Sequence, residues 1–384
     1  MSKWPIVRLG DAATFINGIP FTPSDWDTKG LPIIRIQNLT ESSGETNYYP
    51  GRFPVRYEVN DGDILISWSA SLGVYIWNKG KAVLNQHIFK VVFDKLDFDK
   101  RYFKYAVSSK IEEMMKYTHG STMKHITKKY FDSIQITYPP LETQKKIADV
   151  LDKAKSLIDL RKKQIEQMDL LIKSKFIEMF GDPVTNPKGW PTKELKDITS
   201  KIGSGATPRG GKESYIKYGI CLIRSMNVHN GKFKYEELAH IDESQAKQLE
   251  NVTVFENDVL INITGASVAR SCVVPKTTLP ARVNQHVSII RCNPKVISYQ
   301  YMNKLLINES YQKKLLSIGG AGGATREAIT KRQLELLEIP LPPLDLQNQF
   351  ACFVELVEKQ KKLFEQALDK MEINYKSLMQ EYFG

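Results

Sequence analysis

Apolar side chains recur at three- and four-residue steps through residues 141–181, LETQKKIADVLDKAKSLIDLRKKQIEQMDLLIKSKFIEMFG. The stripe consists of Ile147, Leu151, Ala154, Ile158, Ile165, Met168, Ile172 and Met179. Such spacing is that of a coiled-coil seam rather than of a broad core-facing surface. Pro139 and Pro140 stop the preceding segment, Gly181-Asp182-Pro183 ends the stretch, and no proline or glycine lies between. The pattern predicts one helix of roughly 38 residues, ~57 Å long at 1.5 Å per residue. So long a stripe needs a partner helix.

Residues 344–384, LDLQNQFACFVELVEKQKKLFEQALDKMEINYKSLMQEYFG, supply one. Shifted by 203 positions the two segments align without a gap, pairing Pro139 with Pro342, Leu141 with Leu344, Gln144 with Gln347 and Phe180-Gly181 with Phe383-Gly384. The seam carries over as Phe350, Val354, Val357, Phe364, Leu368, Met371, Tyr375 and Tyr382, interrupted by Lys361 as Arg161 interrupts the first. Matching ends, phase and offset indicate repetition rather than two unrelated amphipathic helices.

The segments preceding the helices repeat as well. Trp4-Pro5, Leu9 and Asp11 return as Trp190-Pro191, Leu195 and Asp197, followed by glycine-containing turns at 17–23 and 203–208. The run 30–38 (GLPIIRIQN) reappears at 219–227 (GICLIRSMN), and 63–69 (DILISWS) at 258–264 (DVLINIT). Asn85-Gln86-His87 recurs unchanged as Asn284-Gln285-His286. Offsets grow from 186 through 189, 195 and 199 to 203, which places small insertions between shared strands. Short β-branched runs bounded by Gly, Asn and Asp predict twisted strands and turns. Short helices are expected at 99–117 and 298–316.

These readings give an α+β protein with domains at 1–140 and 182–343, each followed by a spacer helix, at 141–181 and 344–384. Antiparallel pairing of the helices makes a pseudo-twofold coiled coil with a domain at each end. Parallel pairing would require the linker of about eight residues to return along ~57 Å at ~3.3–3.6 Å per residue, beyond its reach.

The 384 residues, 42% of them hydrophobic, can fill more than one core. With no secretory leader or membrane-spanning apolar run, a soluble cytoplasmic protein is expected. Cys221, Cys272, Cys292 and Cys352 lack the close pairing of a zinc site and read as buried, reduced thiols. The formal charge of +11 and pI near 9.2 favour a polyanionic partner. B-DNA advances about 34–36 Å per turn, so a rod of this length can hold two readers more than one turn apart on duplex DNA. Two unlike domains would read two unlike half-sites.

In order and twice over, these features resemble the specificity subunit of a type I restriction-modification enzyme across nearly the whole chain. They are the Trp-Pro entries, the Gly-Ala-Thr-Pro turn at 205–208, the Asn-Gln-His triplets, the Pro-Pro-Leu-x-x-Gln helix entries and the Phe-Gly ends. The first copy departs in having Phe21-Thr22-Pro23 without a full glycine-rich turn. The resemblance implies two target recognition domains that each read one half of a bipartite target. It implies helices that serve as ruler and docking platform for two methyltransferase subunits, with restriction (nuclease-translocase) subunits joining later.

Base-edge readout needs donors and acceptors, added to phosphate contacts that set position. The first copy offers Arg35, Gln37, Asn38, Trp68, Ser69, Lys79, Lys116, His119, Ser121, Lys124 and Lys128 as candidate DNA contacts. The second offers Thr207, Arg209, Lys212, Arg224, Asn227, Thr264, Ser267, Arg270 and Arg326. Arginine suits the bidentate edge of guanine, whereas Lys116, Lys124 and Lys128 suit phosphate. Arg35 and Arg224, at matching places, have the alternative role of anchoring a strand end. The shared Asn-Gln-His triplets read as scaffold turns, since domains that read different bases should not share their readers. Trp68 and Trp77 have core packing as an alternative to base stacking.

Neither triplet histidine has the company of a metal site, and no metal or cofactor is expected. Residues 203–212, GSGATPRGGK, fail as a phosphate loop because Ala206 occupies the required glycine position and Glu213 follows Lys212. No amino-methyltransferase motif of the Asn-Pro-Pro-Tyr type is present, so a non-catalytic subunit is expected. Two alternatives stay open: a recognition module of a related assembly outside type I, and a coiled-coil structural adaptor that does not bind DNA.

Overall fold

The computed structural model describes residues 4–42, 45–117, 125–208, 210–320 and 327–384. Contacts divide the chain into two compact units, residues 1–162 with 366–384 and residues 163–365. Each unit contains one domain, the half of the long helix that follows it, and the opposite half of the other long helix.

In the first domain, Thr14–Asn17, Ile88–Val92, Ile64–Ser67 and Gly73–Ile76 form an antiparallel sheet in that order. A second sheet runs Tyr48–Tyr49, Leu31–Ile34, Ala82–Leu84, Glu58–Val59, with Leu31–Ile34 and Ala82–Leu84 parallel. The other domain repeats this strand for strand. Its first sheet is Thr199–Ser204, Val287–Cys292, Val259–Asn262 and Ser271–Val273. Its second is Ala239–Ile241, Ile220–Ile223, Ala281–Val283 and Thr253–Val254, again with one parallel pair. The sequences ILIS at 64–67 and VLIN at 259–262 lack alternation because every residue of both strands is buried.

The jump in offset from 189 to 195 has a structural cause. Where the first domain has the helix Ile36–Thr40, the second has a hairpin of Val228–His229 with Lys232–Phe233, and then the helix Glu243–Gln248. Entry and exit of each domain are tied by a short antiparallel pair, Ile6–Arg8 with Gln135–Thr137 and Thr192–Glu194 with Glu338–Pro340.

The long helices span Leu141–Phe180 and Leu344–Phe383. Within the first unit, Ile147 and Leu151 share a buried cluster with Phe383 and the domain's Tyr102 and Phe103, while Lys162 pairs with Glu372 at 2.7 Å. Within the second, Phe176 and Phe180 pack on Phe350 and Tyr301, while Asp169 meets Lys361 at 2.5 Å. In both units rising numbers on one helix meet falling numbers on the other. The helices are antiparallel. Lys361, which interrupts the apolar stripe, is thereby held by a carboxylate.

None of the sixteen seam residues is exposed: Ile147, Leu151, Ile158, Ile172, Phe350, Val354 and Val357 are buried and the rest partly so. The stripe is wider than the heptad reading, however. Ala148, Phe176 and Phe180 are also buried, because the seam packs on the domain core as well as on the partner helix.

Gln144 and Gln347, fully buried at the helix starts, link each helix to its domain. The Gln144 carbonyl accepts from Asp99 N at 3.0 Å and its amide donates to Pro139 O at 2.9 Å. Gln347 repeats both bonds, with Ser298 N at 2.9 Å and Pro342 O at 2.8 Å. Asp99 and Ser298 each cap a domain helix, Lys100–Ser108 and Tyr299–Leu306. Replacing Gln347 by Ala strands a buried N–H and should cost about 1–3 kcal/mol, whereas Gln349→Ala, on the exposed face, should be nearly silent. Urea unfolding of the two variants measures the difference.

The cysteines differ from the expected uniform burial. Cys272 is buried, Cys221 and Cys292 are partly so, and Cys352 is exposed on the outward face of the second long helix. Burial pushes the Cys272 and Cys292 thiols up to about 12. At pH 8 a thiol reagent should modify Cys352 in the native protein, and reach Cys272 and Cys292 only on unfolding. Mass spectrometry of the labelled peptides reads the order.

Candidate nucleic-acid interface

In each domain a loop crosses directly over the chain that enters the Asn-Gln-His triplet. Gly205 N donates to Asn284 O at 3.1 Å, and a Cβ at Gly205 would lie 1.8 Å from Val283 O. In the first domain Ile19 N donates to Leu84 O at 2.9 Å, and a Cβ at Gly18 would lie 2.3 Å from that oxygen. Backbone meets backbone at both crossings, so only glycine fits. Gly18 thus does the work of the fuller glycine turn that the first copy lacks. The triplet asparagines close turns, accepting from His87 N at 3.3 Å and His286 N at 3.0 Å.

Around this crossing the second domain gathers several predicted residues. The Thr207 hydroxyl donates to Gln285 Oε1, Gln285 Nε2 lies 3.0 Å from His286 Nε2, and His286 Nδ1 lies 2.5 Å from Thr264 Oγ1. Thr264 begins the loop that carries Ser267 and Arg270. The fully buried Ala269, at φ +69°, bends this loop back: its N–H donates to Asn262 O and its carbonyl accepts from Gln312 Nε2, both at 2.8 Å. Gly265 N donates to Glu327 O at 2.9 Å. The loop is thus held on either side of Ser267. Lys212 is exposed on the turn Gly211–Ser214, while Arg209 and Arg326 lie outside the described residues.

Arg224 and Asn227 have another use. Asn227 is fully buried, its oxygen accepting from Arg224 N at 3.0 Å and its amide donating to Lys234 O at 2.9 Å. The Arg224 guanidinium lies over Tyr215 at 5.4 Å and donates to Glu237 O. The first domain repeats the arrangement: Asn38 accepts from Arg35 N at 2.9 Å, and the Arg35 guanidinium lies 4.9 Å over Trp26 while donating to Asn47 at 3.0 Å. Both pairs brace the end of a strand, as their shared places in the sequence allowed. Gln37, beside them, donates to Glu45 O at 3.3 Å.

The remaining first-domain candidates fall into separate groups. Trp68 donates to Asn17 at 3.3 Å and stacks on Phe89 at 5.6 Å, near His87. Ser69, buried, bridges to His125, and Lys128 lies over Phe15 and Phe89 while pairing with Asp132. Lys79 sits beyond the far end of strand Gly73–Ile76 from Trp68, paired with Glu41 at 3.1 Å, and is not gathered with them. Lys116 is exposed at the end of helix Ile111–Lys116. His119, Ser121 and Lys124 lie outside the described residues.

Hydroxyls, a carboxamide and an imidazole converging at loop ends are the chemistry of hydrogen-bonded recognition. Among the described residues no cluster of His, Cys, Asp and Glu could hold a metal, and no helix is long and apolar enough to cross a membrane. The model of the type I restriction modification DNA specificity domain matches twice, over residues 1–169 and 187–372. The chain belongs to this family. It is a non-catalytic specificity subunit of a type I restriction-modification system, the class of subunit that recognises a bipartite DNA target and directs the methyltransferase and restriction subunits.

Among relatives of this specificity subunit, the type I restriction enzyme EcoBI specificity subunit of Escherichia coli is 24% identical, over 92% of this chain and 79% of its own. The MjaVIII specificity subunit of Methanocaldococcus jannaschii is 25% identical over 96% and 91%. The crystal structure of a type I S subunit from M. genitalium has the same fold, with TM-score 0.61 and 12% identity over 100% of this chain and 96% of that one. A chain from a structural study of complex assembly and conformational transition of the type I R-M system also scores 0.61, at 15% identity over 99% and 97%.

Sequence reasoning passed over several residues of the specificity subunit's loop face. Asn17, which holds Trp68, gave no signal apart from its neighbouring glycine. Gln285 and His286 were set aside as scaffold because both copies share them, although only the second copy joins them to Thr207 and Thr264. The crossing itself predicts a contrast between two glycines. Gly205→Ala should destabilise the second domain by about 1–3 kcal/mol through the clash with Val283 O. Gly203→Ala, whose Cβ would meet only Lys201 Cε at 3.4 Å, should be nearly neutral. Thermal melts of the two variants test the difference.

Proposed function

We propose that each domain of this specificity subunit reads its own half of an asymmetric DNA sequence with the loops that end its strands. In the second domain the contacts are Thr207, Lys212, Thr264, Ser267 and Arg270, with Arg209 and Arg326. In the first they are the Trp68-Ser69 loop, Lys116 and Lys128, with His119, Ser121 and Lys124. Arg35, Asn38, Arg224 and Asn227 hold the strand ends from which these loops depart, with Gln37 beside the first pair. Lys79 serves phosphate contact at most. The paired helices set the spacer and seat two methyltransferase subunits, with restriction-translocase subunits joining that complex in the cytoplasm. Residues 1–140 and 182–343 act as the exchangeable reading domains.

One observation carries the reading: the two domains share strands, crossings and braces but differ at the loops. Residues 68–72 link two strands of the first domain, whereas the longer stretch 263–270 links their counterparts in the second. A common scaffold with unlike loop ends is what two readers of different sequences require.

Mapping methylated sites in cellular DNA with and without the chain should reveal a two-part sequence. Exchanging residues 182–343 for another such domain should change one half only. Arg270→Ala should weaken that half-site by about 1–3 kcal/mol if the guanidinium reads a base, and weaken all sequences alike if it touches phosphate. An adaptor that does not read DNA would leave the methylation pattern unaltered by either change.

A further inference from the structure

The hydrogen-bonded chain Thr207–Gln285–His286–Thr264 joins two loops of the second domain that are far apart in sequence. Its chemistry restricts what either end can offer a ligand. The Gln285 NH2 can only donate, so His286 Nε2 must accept from it. A neutral imidazole then carries its proton on Nδ1 and donates it to Thr264 Oγ1. In this order the Thr207 hydroxyl donates inward, and the hydroxyl hydrogen of Thr264 remains for another acceptor. Turning the Gln285 amide over reverses every bond: Thr264 donates to Nδ1, Nε2–H donates to Gln285 Oε1, and the Gln285 amide donates to Thr207. The spare hydrogen is then on Thr207. With the imidazole neutral and the chain intact, only one of the two end hydroxyls has its hydrogen to spare.

Among the described residues, the first domain contains the same triplet without this chain. Its counterparts of Thr264 and His286 are Ser69 and His87, whose Oγ and Nδ1 atoms are buried with no hydrogen-bond partner among the described residues. The Gln86 to His87 distance is 3.3 Å, and Thr22, in the corresponding loop, is held by Asp25 instead. The shared triplet therefore serves a turn in both domains, while the coupling belongs to the second alone.

We propose that Gln285 and His286 are positioning residues that couple Thr207 to Thr264, so that donation to DNA by one threonine obliges the other to accept. The proposal rests on the assignment of this face to the second half-site. It adds a specificity rule: acceptor and donor groups on the DNA are selected as a pair.

The test uses the full chain with its methyltransferase partner, at fixed salt, on duplexes carrying the mapped target or either half scrambled. Gln285→Met keeps length and removes both amide bonds. It should reduce discrimination at the second half-site by roughly tenfold and leave the first unchanged. Thr207→Val and Thr264→Val should be non-additive, the double variant losing several-fold less than the product of the singles. In the Gln285→Met background the two should become additive. Gln86→Met should leave first-half discrimination as it was. His286→Asn, which keeps a donor toward Thr264 but breaks the bond to Gln285, should uncouple the threonines while losing less affinity than His286→Leu.

Because Gln285 is exposed, its Met variant tests the idea even if the His286 variants fold poorly. Independent threonines in the parent, or Gln285→Met with normal second-half discrimination, would overturn the coupling while leaving the DNA-reading assignment standing. An equal loss from Gln86→Met at the first half-site would reduce the triplet to scaffold in both domains. A parent that ignored scrambling of the second half-site would remove the DNA-reading assignment, and this proposal with it.

Discussion

Everything in this molecule depends on the burial of a stripe that neither long helix can bury alone. The helix Leu141–Phe180 gives Ile147 and Leu151 to one unit and Ile172, Phe176 and Phe180 to the other. The helix Leu344–Phe383 divides in the same way, with Phe350, Val354 and Val357 in one and Phe383 in the other. Each domain core is thus completed by parts of both helices. Burying such a side chain contributes about 1.5–3 kcal/mol, so the seam is a large part of what holds each unit together. The buried glutamines then convert packing into orientation. Gln144 and Gln347 fix the start of each helix against the capped start of a domain helix.

Upon that frame the two domains differ in a controlled way. Backbone crossings at Gly18 and Gly205 and the arginine–asparagine braces recur because they are demands of the strand arrangement, whatever is bound. Asp258 shows how far the copies diverge even inside: fully buried, it takes both ends of the Arg291 guanidinium at 2.8 Å. The matching Asp63, less buried, meets Lys90 at 3.1 Å. Divergence is greater still at the loops, where no core constrains length. A specificity subunit needs this division, since a reader can change its target only if its scaffold tolerates new loop ends.

How much was legible in the sequence follows from how local each cause is. Helical period, proline stops and a constant offset are local or repetitive signals, and they located both helices, their antiparallel sense and the duplicated α+β domains. The fold resemblance rested on the same repeats. Candidate contacts were less legible because a polar residue looks the same on paper whether it serves a neighbour or a ligand. Asn227 was a plausible reader until its burial and its bonds to Arg224 and Lys234 were seen. Lys79, an equally plausible contact on paper, pairs with Glu41 beyond a strand from Trp68. Gln285 and His286 were discounted by a sound argument about repetition, which holds for their turn but not for the bonds their side chains make.

By itself, then, the sequence determined the number of domains, the two long helices and the family, because periodicity and repetition survive without coordinates. Only the tertiary structure decided which polar groups are engaged by the protein itself. That depends on contacts between residues such as Thr207 and Gln285, or Ala269 and Gln312, which are distant in sequence and adjacent in the fold. The seam shows both parts of the answer. Its period was written in the chain, but its true width, with Phe176 and Phe180 included, was set by the domain surface that each helix half covers.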